Sequence, residues 1–288
     1  MDRELFIQPS VRIRNLEKKL LTKIQFERLY EADDLQDSIR HLNETVYSED
    51  LVKIDRAENF EVALSNSLNR TYNEALSLCP VKELVDVLTY RFAFHNIKVA
   101  VKEKILQENF EHIYSKVHYE DLDNLRKQFE TEKGEKGTWY EDTVIQAYKT
   151  FEETKDPEKI EFFIDKRYFE KVLEISKKFG LDLVEEYFRA MIDFVNIRTF
   201  IRCKRQEQDI SVLKEALIQG GYIDIDDIST YFYKEIQDLV NAYKNTKIGK
   251  SLFLGLKGYN ETGRLLLFEK HMENYLTNLL KERVKRMP

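Results

Sequence analysis

Five histidines, His41, His95, His112, His118 and His271, are the side chains best suited to bind a metal or move a proton near neutral pH. Their spacing suits neither task. No His-Glu-x-x-His is present, so the helical zinc-protease pattern is absent. No Glu-x-x-His supplies the ligands of a di-iron bundle. His112 and His118 stand six residues apart, on different faces of a helix. Gly249-Lys250-Ser251 matches the end of a phosphate-binding loop, but Lys244 occupies the position where that loop needs its first glycine. Asp224, Asp226 and Asp227 lack the register and closing glutamate of a calcium loop, and read instead as a helix cap. Cys79 and Cys203, two isolated thiols, make neither a disulfide framework nor a thiolate zinc site. There is no Gly-x-Ser-x-Gly, and the 52 acidic residues read as solvated helix surface. The expectation is therefore no catalytic residue, no cofactor and no metal.

The elements behind these residues read as helices. Of 288 residues only nine are glycine and four proline, and the first glycine is Gly134. A sheet protein needs turn residues far more often than that. The net charge of −6 lacks the basic footprint of a nucleic-acid binder, so no nucleic-acid partner is expected. No uncharged apolar run is long enough to span a bilayer. Met1-Asp2-Arg3-Glu4 does not open a secretory signal. A soluble, non-spanning chain is expected, with helices over 10–30 (capped by Ser10), 35–42, 58–78, 81–107, 142–155, 164–179, 181–206 and from about 264. The stretch Gly249 to Gly263 holds four glycines and is expected to be the most irregular.

The strongest signal is internal. At an offset of one hundred residues Phe94 matches Phe194, Asn96 matches Asn196, and Ile97 matches Ile197. Lys98 then matches Arg198, Lys102 matches Arg202, and Lys104 matches Lys204. Asn is a poor helix former because its side chain competes with the backbone. Two Asn at the same phase of two long helices predict one structural duty performed twice, a bond to a backbone group at a helix–helix contact. Asp193 has only Ala93 opposite it. A fainter echo pairs Gln36-Asp37-Ser38-Ile39 with Gln237-Asp238-Leu239-Val240, two periods later. The pattern predicts helical modules over 1–108, 109–208 and 209–288, the last lacking its end.

With this repeat come Arg12 to Leu21, Phe26 to Leu29, Leu42 to Tyr47, Phe94 to Lys98, Ile192 to Thr199 and Ala216 to Gly221. In this order they make the chain similar to the C subunit of bacterial and archaeal V-type ATPases, equivalent to the eukaryotic d subunit. The resemblance implies an all-α protein, three similar domains around a pseudo-threefold axis, shaped like a funnel. Its central cavity would receive the D and F subunits of the central stalk, and its other face would sit on the membrane proteolipid ring. It implies no catalytic residues. Torque would pass between ATP chemistry on other subunits and proton or sodium movement in the ring. The location implied is cytoplasmic, peripheral at the inner face of the cell membrane, within a complex. The family continues for several tens of residues past Met287-Pro288. The competing reading is a helical-repeat adaptor or scaffold with another protein partner.

Overall fold

The computed structural model of the chain describes residues 4–117, 122–138 and 140–285. His118 and Met287-Pro288 lie outside the described residues. Among the described residues every regular element is a helix. The chain divides into two compact units, Met1–Glu103 with Gln107–Lys127, and Lys104–Leu106 with Gln128–Pro288.

The first unit begins with α1 (Ile7–Glu17), α2 (Lys23–Tyr30), α3 (Leu35–Leu42) and α4 (Ser48–Leu51), followed by α5 (Phe60–Leu78) and α6 (Glu83–Leu106). The single helix expected over 10–30 is thus two. Thr22 divides it by closing a reciprocal cap, its hydroxyl accepting from the Gln25 N–H while the Gln25 side chain accepts from the Thr22 N–H. The expected Ser10 cap is also displaced, because α1 starts at Ile7. Pro9 is tolerated there, since a first-turn N–H has no helical partner to lose. Asp34 caps α3, accepting from the Asp37 N–H at 2.8 Å. α4 is tied to α5 by Arg70, which donates to the buried Asp50 carboxylate at 2.9 Å. Burial alone would raise the Asp50 carboxyl. The bonds from Arg70 and Lys53 outweigh it and hold the group below its ordinary value.

The second unit follows α7 (Leu122–Thr131) with α8 (Glu141–Thr154), α9 (Pro157–Lys178), α10 (Asp182–Arg205) and α11 (Ile210–Ala216). It ends with α12 (Ile225–Thr230), α13 (Ile236–Tyr243), α14 (Gly249–Thr262) and α15 (Leu266–Lys285). α9 begins at Pro157, so the helix expected over 164–179 extends back to the break that Asp156-Pro157 marks in the sequence, Asp156 capping it and proline suiting its first turn. The core gathers around α10, where Phe194 meets Phe268 and Tyr275 edge-on, with ring centroids 6.5 Å and 5.6 Å away.

The irregular segment expected over Gly249–Gly263 is instead helix α14. Glycine lowers helix propensity, but here the lack of a side chain permits contact. A Cβ on Gly255 would lie 2.9 Å from the Phe268 ring, and one on Gly258 would lie 2.8 Å from Leu267. Two of the four glycines let α15 press against α14, and Gly263 (φ 66°) closes the helix in the left-handed conformation. Packing has overridden local propensity.

Candidate functional site

α6 and α10 are each 24 residues long and carry the matched residues at equal phase. Phe94 and Ile97 on α6 are buried, as are Phe194 and Ile197 on α10. Between each pair lies an Asn whose carboxamide grips one peptide unit of the segment that follows. The Asn96 amide donates to the Ser115 carbonyl at 3.0 Å and accepts from the Ser115 N–H at 2.8 Å. The Asn196 amide donates to the Ile218 carbonyl at 2.7 Å and accepts from the Ile218 N–H at 2.9 Å. A carboxamide suits this task because it holds a donor and an acceptor at the separation of a peptide's own C=O and N–H. The partner is a loop residue each time, rather than the helix expected from sequence.

The correspondence continues down both helices. Lys104 donates to the Phe129 carbonyl, and Lys204 donates to the Phe232 and Lys234 carbonyls, both at 2.6 Å. Gln107 and Glu207 then turn the chain with positive φ, 56° and 53°. Beyond them the offset grows from 100 to 103 residues, pairing Ser115 with Ile218, Leu125 with Ile228 and Phe129 with Phe232. The last two pairs are buried. Sequence comparison at one fixed offset misses this. Allowing three extra residues after Glu207, where α11 forms, would have found it.

The remaining matched positions differ. Arg198 and Arg202 both reach Glu269 of α15, each at 3.5 Å. Lys98 is half-buried and Lys102 exposed. The copies also differ in how they hold the gripped loop. In the second, Asp193 is fully buried and accepts from the Tyr222 N–H at 3.1 Å and the Ile223 N–H at 3.0 Å. Gly221 permits this, because a Cβ there would fall 2.1 Å from an Asp193 oxygen. Gly220, with φ 101°, supplies the preceding turn. Arg189 completes the grip by donating to the Gly221 carbonyl at 3.1 Å. Where the first copy has Ala93, the duty passes to Glu103. Its carboxylate receives Arg126 through two 2.8 Å bonds, the Tyr114 hydroxyl at 2.8 Å and the Phe110 N–H at 2.8 Å.

The two carboxylates titrate in opposite senses. Burial pushes Asp193 up to about 6, against the pull of its two N–H donors and Arg189. Arg126 draws Glu103 down to about 2. A raised folded-state value means that Asp193 contributes most below its unfolded value of 3.8, and that this is lost as pH rises through 6. Asp193→Asn removes the titration and places an NH2 against one of the two backbone N–H groups. The stability gap between wild type and Asp193→Asn is expected to narrow between pH 4 and 7 by about 3 kcal/mol at most. Urea unfolding midpoints across that range measure it; a gap independent of pH would contradict it.

These arrangements hold loops on helices through hydrogen bonds to the loop backbone. Among the described residues no group of three His, Cys, Asp or Glu side chains is placed to hold a metal ion. Also among them, no helix is long and apolar enough to cross a membrane.

The family model described as ATP synthase (C/AC39) subunit matches residues 9–288. The C subunit of the V-type sodium ATPase of Enterococcus hirae is 23% identical over 273 residues, covering 94% of this chain and 82% of the relative. The C subunit of the A-type ATP synthase of Pyrococcus horikoshii is 25% identical, covering 95% and 76%. That of Thermococcus gammatolerans is 28% identical, covering 97% and 78%.

Proposed function

The chain belongs to the ATP synthase (C/AC39) subunit family and is a rotary ATPase subunit, and we propose that within its complex it is the non-catalytic coupler between rotor stalk and membrane ring. In this reading three helical modules, 1–108, 109–208 and 209–288, surround a central cavity that takes the tip of the stalk, made of the D and F subunits. The opposite face rests on the proteolipid ring, and the protein is held at the inner face of the membrane by these partners.

The observation that carries the reading is the paired clamp, Asn96 on Ser115 and Asn196 on Ile218. A part that passes torque must not yield between its helices and its loops. Each clamp fixes a loop peptide at both its donor and its acceptor, which restrains translation and rotation together. Repeated modules also offer similar surfaces to a roughly symmetric partner.

The test is a titration of the purified chain with the D–F heterodimer of the same organism, followed by calorimetry. A one-to-one complex is expected. No complex from a chain shown by circular dichroism to be helical would remove the coupler reading and leave a helical scaffold with another partner.

A further inference from the structure

α8 and α14 hold one place in the repeat. Each is 14 residues long, and at an offset of 108 residues Tyr140 matches Ile248, Val144 matches Leu252 and Ala147 matches Gly255, all buried. Each is closed by a residue in the left-handed conformation, Lys155 (φ 52°) and Gly263 (φ 66°). The inner faces are therefore alike, and the outer faces differ. α14 turns Lys250, Phe253, Leu254 and Lys257 outward, at the i, i+3, i+4, i+7 spacing of one helix face. Phe253 is 47% exposed and Leu254 37%. The matched positions on α8 are Asp142, Ile145, Gln146 and Lys149, with Ile145 half-buried.

The charge differs over a wider span. From Leu239 to Asn260 the chain has four lysines and no acid, in a protein of net charge −6. The equivalent residues 131–152 carry five acids and three lysines. Little within the chain answers the lysines of the second copy. Lys247 is matched by Glu186 at 2.7 Å. Lys257 meets Glu261 only at 3.9 Å, with both side chains more than half exposed. Lys244 and Lys250 have no acidic partner among the described residues. A partner complementary to this face is anionic and also accepts Phe253 and Leu254.

Two features favour a bilayer surface over an acidic protein. Apolar tips with a lysine one turn away on either side are the composition of a helix lying in a lipid interface, where lysine stems cover apolar surface and their charges reach the headgroups. The cations are all lysine, compact charges on flexible stems that suit mobile phosphates. Where this chain holds a fixed carboxylate it uses the arginine fork, with two bonds from Arg126 to Glu103 and two from Arg70 to Asp50. We propose that the outward face of α14 docks on an anionic bilayer surface, Lys250 and Lys257 reaching headgroup phosphates while Phe253 and Leu254 enter the interface. Each lysine near such a surface contributes about fivefold to binding. Screening over ~8 Å at physiological salt keeps the acidic remainder of the chain from cancelling the patch. The inference rests on the membrane location proposed above; vesicle binding is measured without stalk or ring subunits, so the two fail separately.

The test is co-sedimentation of the full chain with vesicles of phosphatidylcholine alone, and with about two-fifths phosphatidylglycerol, at physiological salt. Binding at least tenfold tighter to the anionic vesicles is expected. The Lys250→Glu, Lys257→Glu double variant is expected to lose at least tenfold of it, and Phe253→Ser at least threefold. All three side chains are exposed, and circular dichroism checks that the variants fold. Lys149→Glu, the matched change on α8, is expected to bind as the wild type does. Equal binding to both vesicles, no binding to either, or an equal loss in Lys149→Glu overturns the proposal. Capture of a hexaglutamate peptide without vesicle binding overturns it too, and assigns the face to an acidic protein.

Discussion

Asn196→Ala is expected to destabilise the second unit by about 3–5 kcal/mol, because it strands two buried backbone groups at once. The Asn196 side chain is fully buried, and both of its polar atoms are spent on Ile218. Truncation leaves the Ile218 N–H and C=O without the partner that both now bond. Each unsatisfied group costs about 1–3 kcal/mol, and the lost side-chain packing adds to that. Asn196→Asp is expected to fail as well, since a carboxylate would face the Ile218 carbonyl without a proton to donate. The most direct readout is hydrogen exchange at Ile218, which should accelerate by more than about a hundredfold. Denaturant unfolding of the variant gives the total. Wild-type exchange at Ile218 in a folded Asn196→Ala chain would show that the clamp does not hold the loop.

Glu103→Gln is expected to cost the first unit about 3–5 kcal/mol, because it leaves the Arg126 guanidinium without its bidentate partner. Arg126 is only 23% exposed and Glu103 11%, so water replaces little of what is lost. The same group gives the wild type an acid limit. Its folded-state value of about 2 lies below the ordinary 4.5, so its contribution is complete above pH 4.5 and disappears as pH falls toward 2. Acid unfolding of the first unit should therefore be steep in the wild type over that interval and shallower in Glu103→Gln. Thermal melts at pH 7 and pH 3 measure both effects. A variant as stable as the wild type at pH 7 would mean that the network adds nothing to the fold.

The two variants act on opposite copies of one design, and that difference bears on how much the sequence discloses. The phase of Phe94, Asn96 and Ile97 against Phe194, Asn196 and Ile197 is visible without a structure. An Asn buried in a long helix is costly unless its amide is satisfied, so its recurrence announces a backbone bond. The substitute for Asp193 is not visible. Glu103 lies ten residues further along α6, and its work depends on Arg126, Tyr114 and Phe110, which only folding brings together. No spacing rule links those four positions.

Local chemistry governs the helix ends that were legible. Asp34 and Asp156 cap because a short acidic side chain reaches the N–H groups just after it. Thr22 is the same chemistry, hidden inside an apolar pattern that runs on across it. α14 marks the boundary of such reasoning. Four glycines in fifteen residues favour a loop when the segment is taken alone, and they form a helix because α15 needs Gly255 and Gly258 bare. Family, helical class and the paired Asn follow from residue order, because periodicity and capping act over a few residues and survive in one dimension. The gripped peptides and the Glu103 network were settled by packing, because each joins groups between 7 and 23 residues apart whose approach no local preference encodes.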